Sequence, residues 1–368
     1  MAPIPVWPGE FVSLGDTQVY VRTAPATGSA ATTTDANPAE QVVCVHGFGG
    51  SANNWTDLMA LLSGANRQES QDGQDGQDGQ NHTSAPALSP GDPVFSCAAL
   101  DLPGFGYSPP AEASCTVSGQ AALVIQLIEH RGGGPVHLVG NSFGGAVCTR
   151  VAATRPDLIK TVTLVAPAMP DLWVRPVTAR FPALCVPKFG SWVLSRVQKM
   201  APQARVEASI ATIYYDGSCV HPDRIAADVA EIERRDALGY GDAVLIRCAR
   251  SIVAEYLRLG RNSLWRDAGR VTAPALVIYG SHDKIVDPRM AGRAARSFPR
   301  SRVVVLPRTG HVAQMERPEA VAAEFRRMVT GADQSYDLRL PPVSAAEPAA
   351  VGARNRPLGN EPQALPVM

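Results

Sequence analysis

The stretch "PVHLVGNSFGGAVCTR", residues 135–150, constrains the fold more than any other part of the chain. A short apolar run leads into Ser142, which has Gly140, Gly144 and Gly145 around it, and a helix-forming stretch follows at once. If Pro135–Val139 is a buried strand and Phe143–Thr154 a helix, the turn between them is too tight for neighbouring side chains. Glycine removes those side chains, and the strained turn then holds the serine hydroxyl out at the end of a sheet. A chain of this composition yields about 0.2 such glycine–serine patterns by chance, so the surrounding elements must decide the reading.

Those elements alternate in type. Phe11–Leu14 and Gln18–Arg22 flank Gly15-Asp16 and read as an opening hairpin. "QVVCVHGFGG" reads as a β-branched strand ending in glycines, and "VFSCAALDLPGFGYS" as a buried strand with a Pro/Gly loop. Val117, Ala121, Val124 and Ile128 recur at the spacing of one helix face. Strands follow at 135–139, Thr161–Ala166, "APALVIYG" and "RVVVLP". Alternating strands and helices imply an α/β fold with a mostly parallel central sheet and helices on both faces.

Three segments break this pattern. Residues 63–92 carry the repeat "QDGQDGQDGQ" and almost no large apolar residues, so a flexible low-complexity insertion is expected there. From 167 to 270 helical stretches follow one another between prolines, with Leu245, Cys248, Ile252 and Tyr256 on one face, which suggests an inserted helical cap. Residues 332–368 are proline-rich and unpatterned and read as a disordered tail. The core is therefore expected to comprise 1–166 and 271–331.

Lys+Arg and Asp+Glu both number 34, a balance that offers no overall electrostatic footprint for nucleic acid or an anionic membrane. The N-terminus lacks a basic region followed by an apolar run, and no apolar stretch is long enough to span a bilayer. A cytoplasmic protein acting on a small molecule, without nucleic acid or stable membrane insertion, is the resulting expectation; nothing in the sequence sets the oligomeric state. The seven cysteines are scattered without C-x-x-C pairs, and neither a metal-ligand cluster nor a dinucleotide fingerprint after a strand is present, so no cofactor or metal is expected.

A serine hydroxyl is a poor nucleophile near neutral pH and needs a base, with a third group to orient it. "YGSHDKIVDP" places Asp283 after one late strand, and "PRTGHVAQMERP" places His311 after the last. The order Ser142, Asp283, His311 puts all three at carboxyl ends of strands, where open α/β sheets gather their sites. "VHGFGGS" adds a glycine loop whose Phe48 N–H, with that of Phe143, could receive an oxyanion.

These residues resemble the capped α/β-hydrolase superfamily in three signatures: His46–Gly50, "DLPGFGYS" at 101–108, and Gly140–Gly145. The resemblance implies that Ser142 attacks an acyl carbon, His311 relays the proton, Asp283 orients His311, and the 167–270 cap roofs the site. A serine hydrolase of a carboxylic ester is the expected activity. "GNSFGG" also resembles the elbow of carbon–carbon bond hydrolases that act on ring-fission products, which would have a cap arginine such as Arg234 or Arg235 hold a substrate carboxylate. Those enzymes usually carry a tryptophan where this chain has Val312. A ligand receptor on the same fold is the alternative of another class.

Asp287 rivals Asp283, but its place before Pro288 reads as a helix N-cap. His46 reads as a hydrogen-bonding anchor of its loop. Asn141, Trp55, Trp173, Val312 and Met315 are candidate substrate contacts, weighed against plain core roles for the aromatics and methionine.

Overall fold

A computed structural model describes residues 6–27, 39–65, 93–111, 115–171, 175–178, 181–258, 260 and 263–331. Residues 66–92 of the expected insertion, the expected tail 332–368, and Trp173 lie outside the described residues. Among the described residues eight strands form one sheet: β1 (Gly9–Leu14), β2 (Thr17–Ala24), β3 (Gln41–Val45), β4 (Ser96–Leu100), β5 (Val136–Asn141), β6 (Ile159–Val165), β7 (Ala275–Gly280) and β8 (Ser301–Leu306). Their spatial order is β1-β2-β4-β3-β5-β6-β7-β8. The β1–β2 hairpin is antiparallel, with Phe11 opposite Tyr20, and β2 pairs antiparallel with β4. All remaining pairings are parallel.

Helices cover both faces, so β5 and β7 are buried along their whole length. Alternate residues enter different cores: Val43, Val45 and Leu138 face one, while Val42, Cys44 and Val139 face the other. The first core holds α2 (Val117–His130) and α3 (Phe143–Thr154); the second holds α1 (Thr56–Ser63) and, late in the chain, the helix Pro318–Val329. Ser63, the first residue of the expected insertion, belongs to α1, which ends on Gly64 in the left-handed region, φ 80°.

The chain passes from β3 to β4 on one side and returns to β5 on the other. Loops leaving β3 and β5 at their carboxyl ends therefore diverge and leave a crevice between them. Between β6 and β7 lie α4 (Phe181–Cys185), α5 (Phe189–Gln198), α6 (Pro202–Ile213), α7 (Pro222–Leu238) and α8 (Gly241–Leu257). The short α9 (Leu264–Ala268) follows and packs on α3, with Asp267 paired with Arg150 and Leu264 fully buried. α10 (Met290–Ser297), α11 (Ala313–Glu316) and α12 (Pro318–Val329) complete the order.

Candidate active site

Ser142 links β5 to α3 with φ 53° and ψ −116°, a conformation that L-residues rarely adopt. The strain is held by three hydrogen bonds: Ser142 N–H donates to Val165 O at 2.9 Å, and its carbonyl accepts from Ala146 at 3.1 Å and Ala168 at 2.9 Å. The glycines serve close approach. A Cβ on Gly144 would lie 2.2 Å from Val45 O, one on Gly140 would lie 2.6 Å from Gly144 O, and one on Gly145 would meet Pro167 at 2.8 Å. The positive φ falls on the serine itself, and its neighbours are glycine so that strand, turn and helix can touch.

Asp283 and His311 follow β7 and β8, and both are buried. His311 Nδ1 lies 2.8 Å from Asp283 Oδ2, while Asp283 Oδ1 accepts from Ile285 N at 2.7 Å and Val286 N at 3.0 Å. Both carboxylate oxygens are thus engaged, which fixes the ring-facing oxygen in place. Asp287 is occupied elsewhere. It accepts from Arg289 N at 2.9 Å in the turn before α10, whose N-cap is Arg289 and not the expected Asp287, and pairs with Arg289 and Arg175, contacts that hold its carboxyl down at about 2.

The loop after β3 is anchored by His46. Nε2 accepts from Leu102 N at 2.9 Å and Nδ1 donates to Gly47 O at 2.7 Å, so the ring is the neutral Nδ1–H tautomer. Complete burial lowers its pKa to about 4. Asp101 joins the same loop to the 101–108 turn, accepting from Ala52 N at 2.6 Å and Tyr107 N at 2.8 Å; burial raises its pKa to about 7. Gly47 brings this loop against the elbow, since a Cβ there would sit 3.2 Å from Ser142 Cβ. Phe48 lines the cavity beside it, whereas the Phe143 ring is buried in the core and only its backbone, opening α3, faces the turn.

A cavity of about 460 Å³ joins these parts, lined by Ser142, Asn141, Phe48, His311, Val312 and Met315 among others. α5 and α6 contribute Phe189, Val193, Val206 and Ile210, and α7 contributes Asp228, Glu231, Ile232 and Arg235. Burial raises Asp228 to about 6 and lowers Arg235. Arg234 points elsewhere, donating to Gly106 O and stacking on Tyr107, with its guanidinium 4.2 Å from the ring centre.

Two expectations change. Trp55 is fully buried in the second core with Met59 and Phe95, and Asn54 takes the cavity position one residue earlier. Asn141 lines the cavity, yet its Nδ2 is committed to Val165 O at 3.1 Å and His311 O at 3.2 Å. It therefore pins the elbow to the histidine loop, a positioning role beyond its expected substrate contact. Sequence reasoning missed Glu316, whose carboxylate accepts from Gly310 N at 2.6 Å on one oxygen and from Tyr215 N and Asp216 N on the other. His311 N–H also donates to Ile213 O at 2.6 Å. The segment 213–216 is thus built onto the histidine loop, an arrangement that no sequence motif announces.

The family model described as the alpha/beta hydrolase family matches residues 42–324, and the chain belongs to that family. It is 28% identical over 280 residues to the dihydrolipoyllysine-residue acetyltransferase component of the acetoin cleaving system of Pseudomonas putida; 76% of the chain matches, spanning 60% of that protein's length. It is 24% identical to a pimeloyl-[acyl-carrier protein] methyl ester esterase of Neisseria meningitidis, over 79% of the chain and 94% of the relative. The fold is also that of the 2-hydroxy-6-oxo-6-phenylhexa-2,4-dienoate hydrolase of Rhodococcus sp. strain RHA1: TM-score 0.59, 20% identity, 88% of this chain and 100% of that one. No helix among the described residues is long and apolar enough to cross a membrane.

Proposed function

We propose that the protein hydrolyses carboxylic esters of small or medium apolar substrates, with Ser142 as nucleophile, His311 as base and Asp283 as its orienting acid. The observation that carries this is the buried Asp283–His311 pair bordering the cavity of a strained, glycine-flanked serine. With Nδ1 spent on Asp283, Nε2 is the nitrogen left to take the Ser142 proton. Attack of Oγ on the acyl carbon places negative charge on the carbonyl oxygen, which the N–H groups of Phe48 and Phe143 receive. The proton then passes from His311 to the departing alcohol. Water, deprotonated by the same nitrogen, releases the acid and restores the serine. The helices α4–α8 act as a cap over this cavity, whose volume falls within the roughly 300–1,000 Å³ usual for small-ligand sites.

The test is intact mass after exposure to a fluorophosphonate. A single adduct on the native protein and none on folded Ser142→Ala is the expected result; an unlabelled but folded native protein would overturn the proposal in favour of a ligand receptor. Arg235 supports a second reading. It lines the cavity and makes no direct ion pair among the described residues, with Glu231, Asp236 and Asp242 nearby favouring its charge, and a charged guanidinium at the wall suits an acidic substrate such as a vinylogous diketone acid cleaved at a carbon–carbon bond. Turnover of that acid without turnover of esters would select this second reading.

A further inference from the structure

The balanced total charge conceals a one-sided segment. Between Leu172 and Val206 the chain carries six Lys and Arg residues and not one Asp or Glu; Arg175 and Arg205 are paired with Asp287 and Asp236 of other elements, while Lys188, Arg196 and Lys199 are exposed. At the start of α5 this segment also exposes apolar surface: Val186 is 51% accessible, Phe189 45% and Trp192 52%. Phe189 and Trp192 stack at 5.6 Å, and the Arg196 guanidinium lies 5.0 Å from the Trp192 ring centre. Lys188 and Lys199 are exposed at either end of the helix. Within α5 the spacing 189, 192, 196 keeps these groups on one side, and Val186 lies in the turn just before the helix. Arg250 of α8, beside Cys185, adds positive charge at the near end, and Asp242, bonded to Gln198, is the acid at the far end.

We propose that this face of α5 docks on the surface of an anionic phospholipid bilayer. Three features favour a bilayer as occupant. An aromatic pair with a basic rim matches the chemistry of a headgroup boundary, where amphipathic rings settle and Lys and Arg meet phosphate. The exposed Lys188, Arg196 and Lys199 complement an anionic leaflet. The helix also faces both ways: Phe189 and Val193 line the cavity that holds Ser142, while Trp192 and Lys188 face outward. A molecule leaving the bilayer at this face meets the cavity wall directly. The proposal extends the reading above without resting on it, because docking is measured in Ser142→Ala as well as in the native chain.

The experiment is flotation of the full chain with phosphatidylcholine vesicles with and without 30 mol% phosphatidylglycerol, at two salt concentrations. Partitioning is expected to be at least about 10-fold stronger with the anionic lipid and to weaken as added salt shortens the screening length. Each basic residue near such a surface contributes about fivefold, so Lys188→Gln with Lys199→Gln should lose about 25-fold. Trp192→Ala should also lose binding while keeping native stability and its turnover of a water-soluble ester. Equal partitioning to both vesicles, or none to either, would overturn the proposal. So would a concentration-dependent dimer that Trp192→Ala dissolves, which would make the patch a contact between copies of the chain.

Discussion

Gly144→Ala should damage the site out of proportion to its size, and Gly292→Ala is the matched control. Both glycines are helical. A Cβ at 144 would lie 2.2 Å from Val45 O and 2.5 Å from His46 O, whereas at 292 the nearest atom is Arg296 Nη1 at 3.6 Å. Moving from 2.2 Å to an ordinary 3.4 Å contact requires α3 and the end of β3 to separate by about 1.2 Å. Those two elements carry the Phe143 and Phe48 N–H groups, so the separation opens the proposed oxyanion hole. A displacement near 1 Å costs about 100-fold in rate, or ~2.7 kcal/mol of barrier. Overpacking costs about 1–3 kcal/mol of stability, offset by the ~0.5–1 kcal/mol that alanine gains over glycine in a helix. Gly292→Ala should show only that gain. The assay pairs kcat on a p-nitrophenyl ester with urea unfolding of both variants. If Gly144→Ala keeps kcat within threefold and matches Gly292→Ala in stability, close approach is not why position 144 is glycine.

Asp283→Asn should lower kcat by about 10⁴, because the amide favours the wrong imidazole tautomer, while its oxygen still accepts from Ile285 and Val286 and the fold survives; thermal unfolding beside steady-state kinetics checks both parts. The pH dependence of stability should carry opposing contributions. His46, with its folded pKa lowered to about 4, loses stability as pH falls from about 6.5 towards 4, at most about 3 kcal/mol. Asp101, raised to about 7, acts in the opposite sense, losing stability as pH rises from about 4 to 7. His46→Gln should therefore remove one proton of linkage from the acid side. Subtracting its stability–pH curve from the native curve isolates that proton; parallel curves between pH 6.5 and 4.5 would refute the neutral buried imidazole.

Local chemistry made much of this legible. The elbow glycines, the strand ends bearing Asp283 and His311, and the loop from His46 to Gly50 each follow from residues close together in sequence. The failures involve direction and distance. Trp55 stands beside the glycine loop in sequence, but the turn Ala52–Trp55 rotates it into the core, and so short an element carries no periodicity from which to read a face. "TDLMALLS" forms α1 although its eight residues gave too little pattern to register. Arg234 and Arg235 were interchangeable as a charged helix face; only packing of α7 against the 101–108 loop sends one to Tyr107 and the other into the cavity. Asn141 and Glu316 act across 170 and about 100 residues, separations at which no spacing rule applies.

The contacts of residues 211–216 bear on how members of this family can be recombined. Ile213 O accepts from His311 N–H, Ala211 O accepts from Lys284 Nζ at 2.7 Å next to Asp283, and Glu316 clasps the turn at 215–216. A chimaera that exchanged everything between β6 and β7 for a relative's helices would thus withdraw acceptors from the loops carrying both the proposed base, His311, and its proposed acid, Asp283. On the proposed mechanism, substrate preference is separable from proton transfer only if the graft leaves 211–216 behind, and the natural joints for such a swap lie on the α4–α5 side.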